Sequence, residues 1–101
     1  MLVVQATFPI DPAHRDEALE LIRELIASSR REDGVLEYRV ATDIDDENQF
    51  RFFERYEDEA AFEAHGETDH VERFAAALPD LLAREPEVTR FDVDSATDVE
   101  L

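Results

Sequence analysis

The stretch from Phe50 to Phe74 constrains the fold more than any other part of the chain. Apolar and polar residues alternate as far as Tyr56, which predicts a strand with one buried face. Asp58 then provides a strong helix N-cap, and Gly66 interrupts the short helix that follows. Thr68 caps a further helix that carries an apolar stripe. The stretch therefore predicts a strand-to-helix corner followed by two helical segments.

The remaining segments complete the order β-α-β-β-α-β. Strands are predicted by alternation with period two, and helices by apolar spacing of three and four. The predicted strands are Leu2–Phe8, Val35–Thr42, Gln49–Glu57 and Val88–Val93; the predicted helices are Pro12–Arg31, Glu59–His65 and a segment beginning after Thr68. This order predicts an α+β protein with the ferredoxin-like arrangement, in which helices cover one face of an antiparallel sheet.

Three local features refine this prediction. Strict alternation along the second strand places Leu36 and Tyr38 on the same face. Gly34 follows the first helix and predicts a left-handed helix cap. Pro79 is expected to end or kink the last helix.

The length of 101 residues indicates one domain. We expect this domain to span residues 1–94, followed by a polar C-terminal tail at residues 95–101. The sheet face away from the helices also carries apolar residues. A short chain buries a modest share of its surface, so we expect a homodimer in which two sheets pack together.

The charge balance is strongly acidic, with 27 acidic residues, 10 basic residues, no lysine and a net charge of -17. Concentrated salt screens such self-repulsion, so the composition favours a halophilic, cytoplasmic protein; an acidic mesophilic protein is the alternative. A phosphate backbone would be repelled, so nucleic acid is not an expected partner. No apolar run predicts a membrane span, and the absence of cysteine excludes thiolate chemistry.

Several short motifs resemble the antibiotic biosynthesis monooxygenase (ABM) domain. They are Asp33-Gly34-Val35-Leu36-Glu37-Tyr38, Phe53-Glu54-Arg55-Tyr56, Asp58-Glu59-Ala60-Ala61-Phe62-Glu63-Ala64-His65, and His70. The resemblance implies a dimeric α+β barrel with a pocket between sheet and helices in each subunit. It also implies an activity among the family's oxygenases, haem-degrading proteins and sugar-processing proteins, or no catalysis at all.

Departures from the family patterns narrow this choice. The haem-degrading branch has an Asn in the first strand, where this chain has Gln5 and Ala6. That branch also has a Trp, which this chain lacks, and a later His near the position of Ala75. Haem degradation is therefore disfavoured, and the quinol-oxidising branch is the nearest in pattern.

Three titratable side chains are candidates for proton transfer: His65, His70 and Glu54. An imidazole titrates near neutrality and burial raises the pKa of a carboxyl group, so each suits deprotonation of a phenol. Each also has a structural alternative. His65 could cap its helix or bond Glu54, and Glu54 could be a buried hydrogen-bond partner. His70 could lie half-exposed beside Glu67 and Asp69.

Four aromatic side chains are candidates for binding a planar substrate: Tyr38, Phe52, Phe62 and Phe74. They would exclude water and stack against a ring, although an aromatic stripe is also typical of an ordinary core. Arginines project from the opposite face of the predicted hairpin, where they would pair with acids across a dimer interface or steer an anion. These are Arg39, Arg51 and Arg55.

The sequence favours neither a metal nor a bound cofactor. His65, His70 and Glu54 form the one set that suggests a metal site, but the two histidines are five residues apart. A spacing of four would place both on one helix face. The chain has two glycines and no glycine-rich loop for phosphate, flavin or nicotinamide.

Together, these features predict a cofactor-independent monooxygenase that oxidises a small aromatic or quinol substrate with O2. The alternative is a non-catalytic dimeric module of the same fold that binds a small ligand. Isomerisation of a phosphorylated sugar derivative is a third hypothesis, which would require the arginines to face the pocket.

Overall fold

The computed structural model of the protein describes residues 1–101 and has the predicted α+β architecture. The strands are β1 (Leu2–Pro9), β2 (Val35–Thr42), β3 (Gln49–Tyr56) and β4 (Glu87–Asp92); the helices are α1 (Arg15–Ser29), α2 (Glu59–Gly66) and α3 (Asp69–Leu81). A 3-10 turn, Pro12–His14, precedes α1. The first predicted helix is therefore a 3-10 turn followed by an α-helix, and α3 continues two residues past Pro79.

The four strands form one antiparallel sheet in the order β2-β3-β1-β4. The central pair runs in register from Leu2 opposite Tyr56 to Phe8 opposite Phe50. Alternate residues of these strands are buried beneath the helices, in the ferredoxin-like arrangement. We call this side of the sheet the covered face and the other side the open face.

The principal hydrophobic core lies between the covered face and the helices. It contains 11 buried residues: Ala6, Phe8, Ile10, Ala18, Ile22, Leu25, Tyr38, Phe50, Phe52, Phe74 and Leu81. A second cluster of Leu2, Val4 and Tyr56 lies under α2. No helix combines the length and apolar character that crossing a bilayer requires.

The start of β2 departs from the predicted alternation. A β-bulge lies between Val35 and Glu37, where Leu36 is the extra residue. Val35 consequently packs against the core, whereas Leu36 is 49% exposed. The prediction that Leu36 shares a face with Tyr38 is wrong, because the extra residue shifts the alternation at this point.

The prediction of a left-handed conformation at Gly34 is also wrong, since no residue has a positive φ. The glycine is instead required by close packing: a Cβ at this position would lie 2.3 Å from the Cβ of Ala61 in α2. The carbonyl oxygen of Gly34 also accepts a 2.9 Å hydrogen bond from the backbone N–H of Glu57. Gly34 therefore brings the start of β2 against the corner between β3 and α2.

The corner itself is formed by local hydrogen bonds. The carboxylate of Asp58 accepts from the backbone N–H of Ala61 at 2.9 Å and caps α2. Thr68 caps α3 by accepting from the backbone N–H of Val71 at 3.4 Å. These two caps fix where α2 and α3 begin, one on each side of Gly66.

Candidate active site

A cavity of about 230 Å³ lies between the covered face and the helices. Its wall includes all four aromatic side chains that the sequence suggests for substrate binding, together with two of the three candidate proton-transfer groups. These six residues are Tyr38, Phe52, Glu54, Phe62, His65 and Phe74. The remaining wall is mostly aliphatic, so the two polar groups face an otherwise apolar space.

The aromatic rings form the core and the cavity wall at once. The ring centroid of Phe52 lies 4.8 Å from that of Phe8, in an edge-to-face arrangement, and 5.8 Å from that of Phe74. Tyr56 meets Phe62 edge to face at 5.3 Å. Such geometry is the favoured packing of aromatic pairs, and it holds the wall in a defined shape.

Glu54 is buried on the covered face and points into this apolar environment; its carboxylate accepts a short hydrogen bond from the Tyr56 hydroxyl. Burial raises the pKa of Glu54 to about 7, against a smaller opposing effect of that hydrogen bond. The pKa of Tyr56 is raised by burial and then by the neighbouring Glu54 charge. Glu54 is therefore a carboxyl group that can exchange a proton near neutral pH.

His65 lies in the last turn of α2, and Nδ1 of its ring is 2.9 Å from Oε2 of Glu32. The ring contacts Tyr38 and Tyr56, with centroids 5.4 and 5.3 Å away. Burial lowers the pKa of His65 and outweighs the opposing effect of Glu32. The structural alternative of a bond between His65 and Glu54 is not observed, because each has a different partner.

His70 lies in the first turn of α3 and does not line the cavity. Its Nε2 is 2.7 Å from the same Oε2 atom of Glu32, and its side chain is only 18% exposed. It is thus more buried than a half-exposed surface histidine and pairs with neither Glu67 nor Asp69.

Glu32, in the connection between α1 and β2, is the residue that sequence reasoning missed. Its carboxylate joins the two histidines, and one donor atom from each of the three side chains lies within 4.8 Å of the others. Glu54 is not part of this group, so the set of His65, His70 and Glu54 considered from sequence has the wrong carboxylate. A separation of 33 residues or more between Glu32 and each histidine leaves no local motif to detect.

The three hairpin arginines lie on the open face, away from the aromatic cavity. Arg39 and Arg55 both bond Glu37, at 2.6 and 2.8 Å, and Arg51 bonds Asp43 at 2.8 Å. These acids belong to the same chain, so the arginines do not need a partner subunit to be paired. Their position disfavours the sugar-phosphate hypothesis, which requires cationic groups inside the pocket.

The open face carries a larger concavity of about 530 Å³. Arg39, Arg51, Gln5 and Thr89 are among its lining residues, so it has a larger share of polar side chains than the cavity under the helices.

Comparison with known proteins identifies the architecture. The family model described as "Antibiotic biosynthesis monooxygenase" (ABM) matches residues 1–77. The chain belongs to the ABM family. The ABM domain that the sequence motifs resemble and the ferredoxin-like α+β fold are therefore both confirmed.

Individual proteins are similar to this one along nearly the whole chain. The Bacillus subtilis (strain 168) protein named "Putative monooxygenase YcnE" is 34% identical over 93 residues, covering 92% of this chain and 98% of that protein. A crystal structure of an antibiotic biosynthesis monooxygenase has 32% identity and a TM-score of 0.88, covering 94% and 100% of the two chains. Rv0793 from Mycobacterium tuberculosis has 29% identity and a TM-score of 0.87, covering 95% and 98%.

Proposed function

We propose that this ABM protein is a cofactor-independent monooxygenase that oxidises a quinol or another small aromatic compound with O2. The observation that carries the proposal is the cavity in which four aromatic side chains surround Glu54 and His65. Apolar walls with a few convergent polar groups are typical of small-molecule sites.

The size of the cavity limits the substrate. Pockets for drug-sized ligands measure ~300–1,000 Å³, and this cavity of about 230 Å³ is smaller. The cavity suits a compound with one ring or with two fused rings. Such a planar ring would lie against Phe52 and Phe74 while Tyr38 and Phe62 close the sides.

Glu54 is the proposed base, because its ionised form is available near neutral pH in a water-poor cavity. His65 would bind the second hydroxyl group of a quinol. His70 would act indirectly, since it shares the Glu32 carboxylate with His65 and helps to hold that ring.

The substrate supplies the electrons in this mechanism. Glu54 accepts a phenolic proton, and the phenolate transfers one electron to O2 to give a semiquinone and superoxide. These radicals combine to form a carbon–oxygen bond, and the resulting hydroperoxide loses water. The sum is quinol plus O2 giving hydroxyquinone plus water, so the protein contributes deprotonation, positioning and exclusion of water.

Oxygen uptake by the metal-free protein, with a panel of one-ring and two-ring quinols, tests the proposal. We expect uptake, one labelled oxygen atom in the product when labelled O2 is used, and a loss of ~10²-fold or more for Glu54→Gln. His65→Ala should also reduce turnover. Glu37→Gln and His14→Ala are matched controls, because neither residue lines the cavity.

The alternative is a non-catalytic module that binds a small aromatic ligand in the same cavity. It is favoured by the pairing of Glu54 with Tyr56 and of His65 with Glu32, since both polar groups already have partners. Ligand-induced thermal stabilisation without oxygen uptake across the panel would establish this alternative and refute the oxygenase.

We also propose that a second copy of the chain covers the open face. Phe91 of β4 is 44% exposed there, and Phe53 of β3 is half-buried on the same face. Light scattering after size exclusion should report a homodimer that Phe91→Asp weakens. Ile44→Asp, the same kind of change at a fully exposed turn residue, should leave the dimer intact. A monomeric wild-type protein would contradict this proposal.

The acidic composition supports a salt-rich cytoplasm as the working environment. With 27 acidic residues and no lysine, the chain has a net charge of -17. This charge is larger than solubility requires, because a net charge of ~2–8 suffices for a small domain.

A further inference from the structure

The cluster of Glu32, His65 and His70 assembles donor atoms from three separate segments: the connection after α1, the end of α2 and the start of α3. We propose that these three side chains form a binding site for a divalent transition metal such as Zn²⁺ or Co²⁺. The inference goes beyond the proposed oxidation, which uses the aromatic cavity and needs no metal.

The donor set fits such an ion. Two imidazole nitrogens and one carboxylate oxygen suit zinc, cobalt and nickel, whereas calcium and magnesium prefer oxygen donors alone. Three protein ligands also leave positions open for water. Two acidic residues, Asp33 and Asp69, are next to ligands in sequence and add a field that favours a cation, opposed by Arg31 on the other side of Glu32.

The distances permit coordination after small side-chain movements. Nδ1 of His65 and Nε2 of His70 lie 2.9 and 2.7 Å from the same oxygen of Glu32, and all three donor atoms lie within 4.8 Å of one another. Ligand bonds of ~2.0–2.1 Å in a tetrahedral site put neighbouring donors roughly 3.3 Å apart. Each donor atom therefore needs to move by less than about 1 Å.

Both imidazole rings converge on one oxygen of Glu32. A carboxylate offers two oxygen atoms with about four acceptor sites, so hydrogen bonding alone does not require both imidazoles to use Oε2. Both ring nitrogens therefore lie beside one carboxylate oxygen, close enough for a single ion to contact all three atoms. The two rings lie 6.1 Å apart between centroids, with their donor atoms turned toward Glu32.

The surroundings hold the site in place and leave it accessible. The Thr68 hydroxyl donates a 2.7 Å hydrogen bond to the backbone carbonyl of His65, and Thr68 also caps α3, which carries His70. The side chains of Glu32 and His70 are 17% and 18% exposed, so an ion can enter from solvent. The Thr68 contacts therefore fix the backbone segments that carry the two histidines.

The test uses the full chain after removal of metals by a chelator. Titration with Co²⁺ alone, followed by visible absorption, should show saturable binding of one ion per chain with the bands of a nitrogen-ligated site. Excess Mg²⁺, which occupies surface carboxylates, should leave these bands unchanged. Loss of any one ligand through Glu32→Gln, His65→Ala or His70→Ala should weaken binding by at least ~10–100-fold, the loss that removal of a supporting group alone produces. His14→Ala should bind as the wild type does.

A measurement on the unmodified protein covers variants that fail to fold. The chain has three histidines, so NMR of the imidazole protons can follow each one. Added Zn²⁺ should shift His65 and His70 at one equivalent and leave His14 unchanged. Equal shifts of all three, or binding that persists in both His variants, would overturn the site. Because the oxidation assay is run without metal, failure of either proposal leaves the other standing.

Discussion

The covered and open faces of the sheet are built from alternate residues of the same strands, yet the pKa of a glutamate is shifted in opposite directions on the two faces. Glu37 on the open face is bonded by Arg55 and Arg39, and these partners lower its pKa. Glu54 on the covered face has no cationic partner, and burial raises its pKa to about 7. The two carboxyl groups therefore differ in role: Glu37 on the open face forms structural ion pairs, whereas Glu54 on the covered face is able to exchange protons.

The two faces also differ in how much they contribute to stability. The buried apolar side chains of the sheet lie on the covered face, and several of them also line the cavity. On the open face, ion pairs in contact with solvent contribute little, each about 0–1 kcal/mol. Paired substitutions across the pleat can test this division.

The largest expected difference is between two adjacent phenylalanines of β3. Phe52 is 3% exposed within the core, so Phe52→Ala should lower the free energy of unfolding by about 3–5 kcal/mol. Phe53 is half-buried on the open face, and Phe53→Ala should cost about 1 kcal/mol in the monomer. Urea unfolding of both variants provides the measurement.

Protein concentration is the control in that experiment. If a second copy covers the open face, the cost of Phe53→Ala should increase with protein concentration while that of Phe52→Ala stays constant. Equal, concentration-independent costs for the two variants would contradict the division between the faces.

The pH dependence of stability should separate the two glutamates next. Because the folded-state pKa of Glu54 is raised from 4.5 to about 7, the folded protein holds this proton more tightly than the unfolded chain. Its contribution to stability is complete below about pH 4.5 and is lost as pH rises through 7. Relative to wild type, Glu54→Gln should therefore gain up to about 3 kcal/mol between those values.

Glu37→Gln should change the pH dependence of stability in the opposite direction. The lowered pKa of Glu37 means that its contribution is present above the ordinary pKa and is lost as pH falls through the lowered value. The variant should be slightly less stable than wild type at neutral pH, and this difference should disappear in acid. Urea unfolding of both variants across the pH range would refute the comparison if the two differences had the same sign.

Features set by neighbouring residues were the ones that the sequence could predict. The alternation of β3, the Asp58 cap and the Thr68 cap all depend on contacts within a few residues, and each is present in the structure. The composition of the cavity wall follows from the same alternation, because Tyr38, Phe52 and Glu54 occupy the buried side of paired strands.

Features that depend on distant contacts could not be predicted. Glu32 meets His65 and His70 where the chain near Gly34 packs closely against Ala61 of α2, and nothing near Glu32 in sequence distinguishes it from the other acidic residues. The bulge at Leu36 could not be predicted, because apolar and polar residues alternate through this position as they do in a regular strand. In both cases tertiary packing decides between local sequences that look equivalent.

Salt acts on exposed charge, and its expected effect on stability is small. Raising KCl from about 0.1 M to about 1 M shortens the Debye length from ~10 to ~3 Å. This screens both the ion pairs of the open face and the repulsion that arises from a net charge of -17. Because each exposed pair contributes little, relief of repulsion should dominate, and stability should rise by about 1 kcal/mol, or ~4–8 °C in Tm. Glu54→Gln should show the same increase, since this side chain is buried away from the ions. A fall in Tm with KCl would mean that the open-face pairs outweigh the repulsion, and it would remove the support for a salt-rich environment.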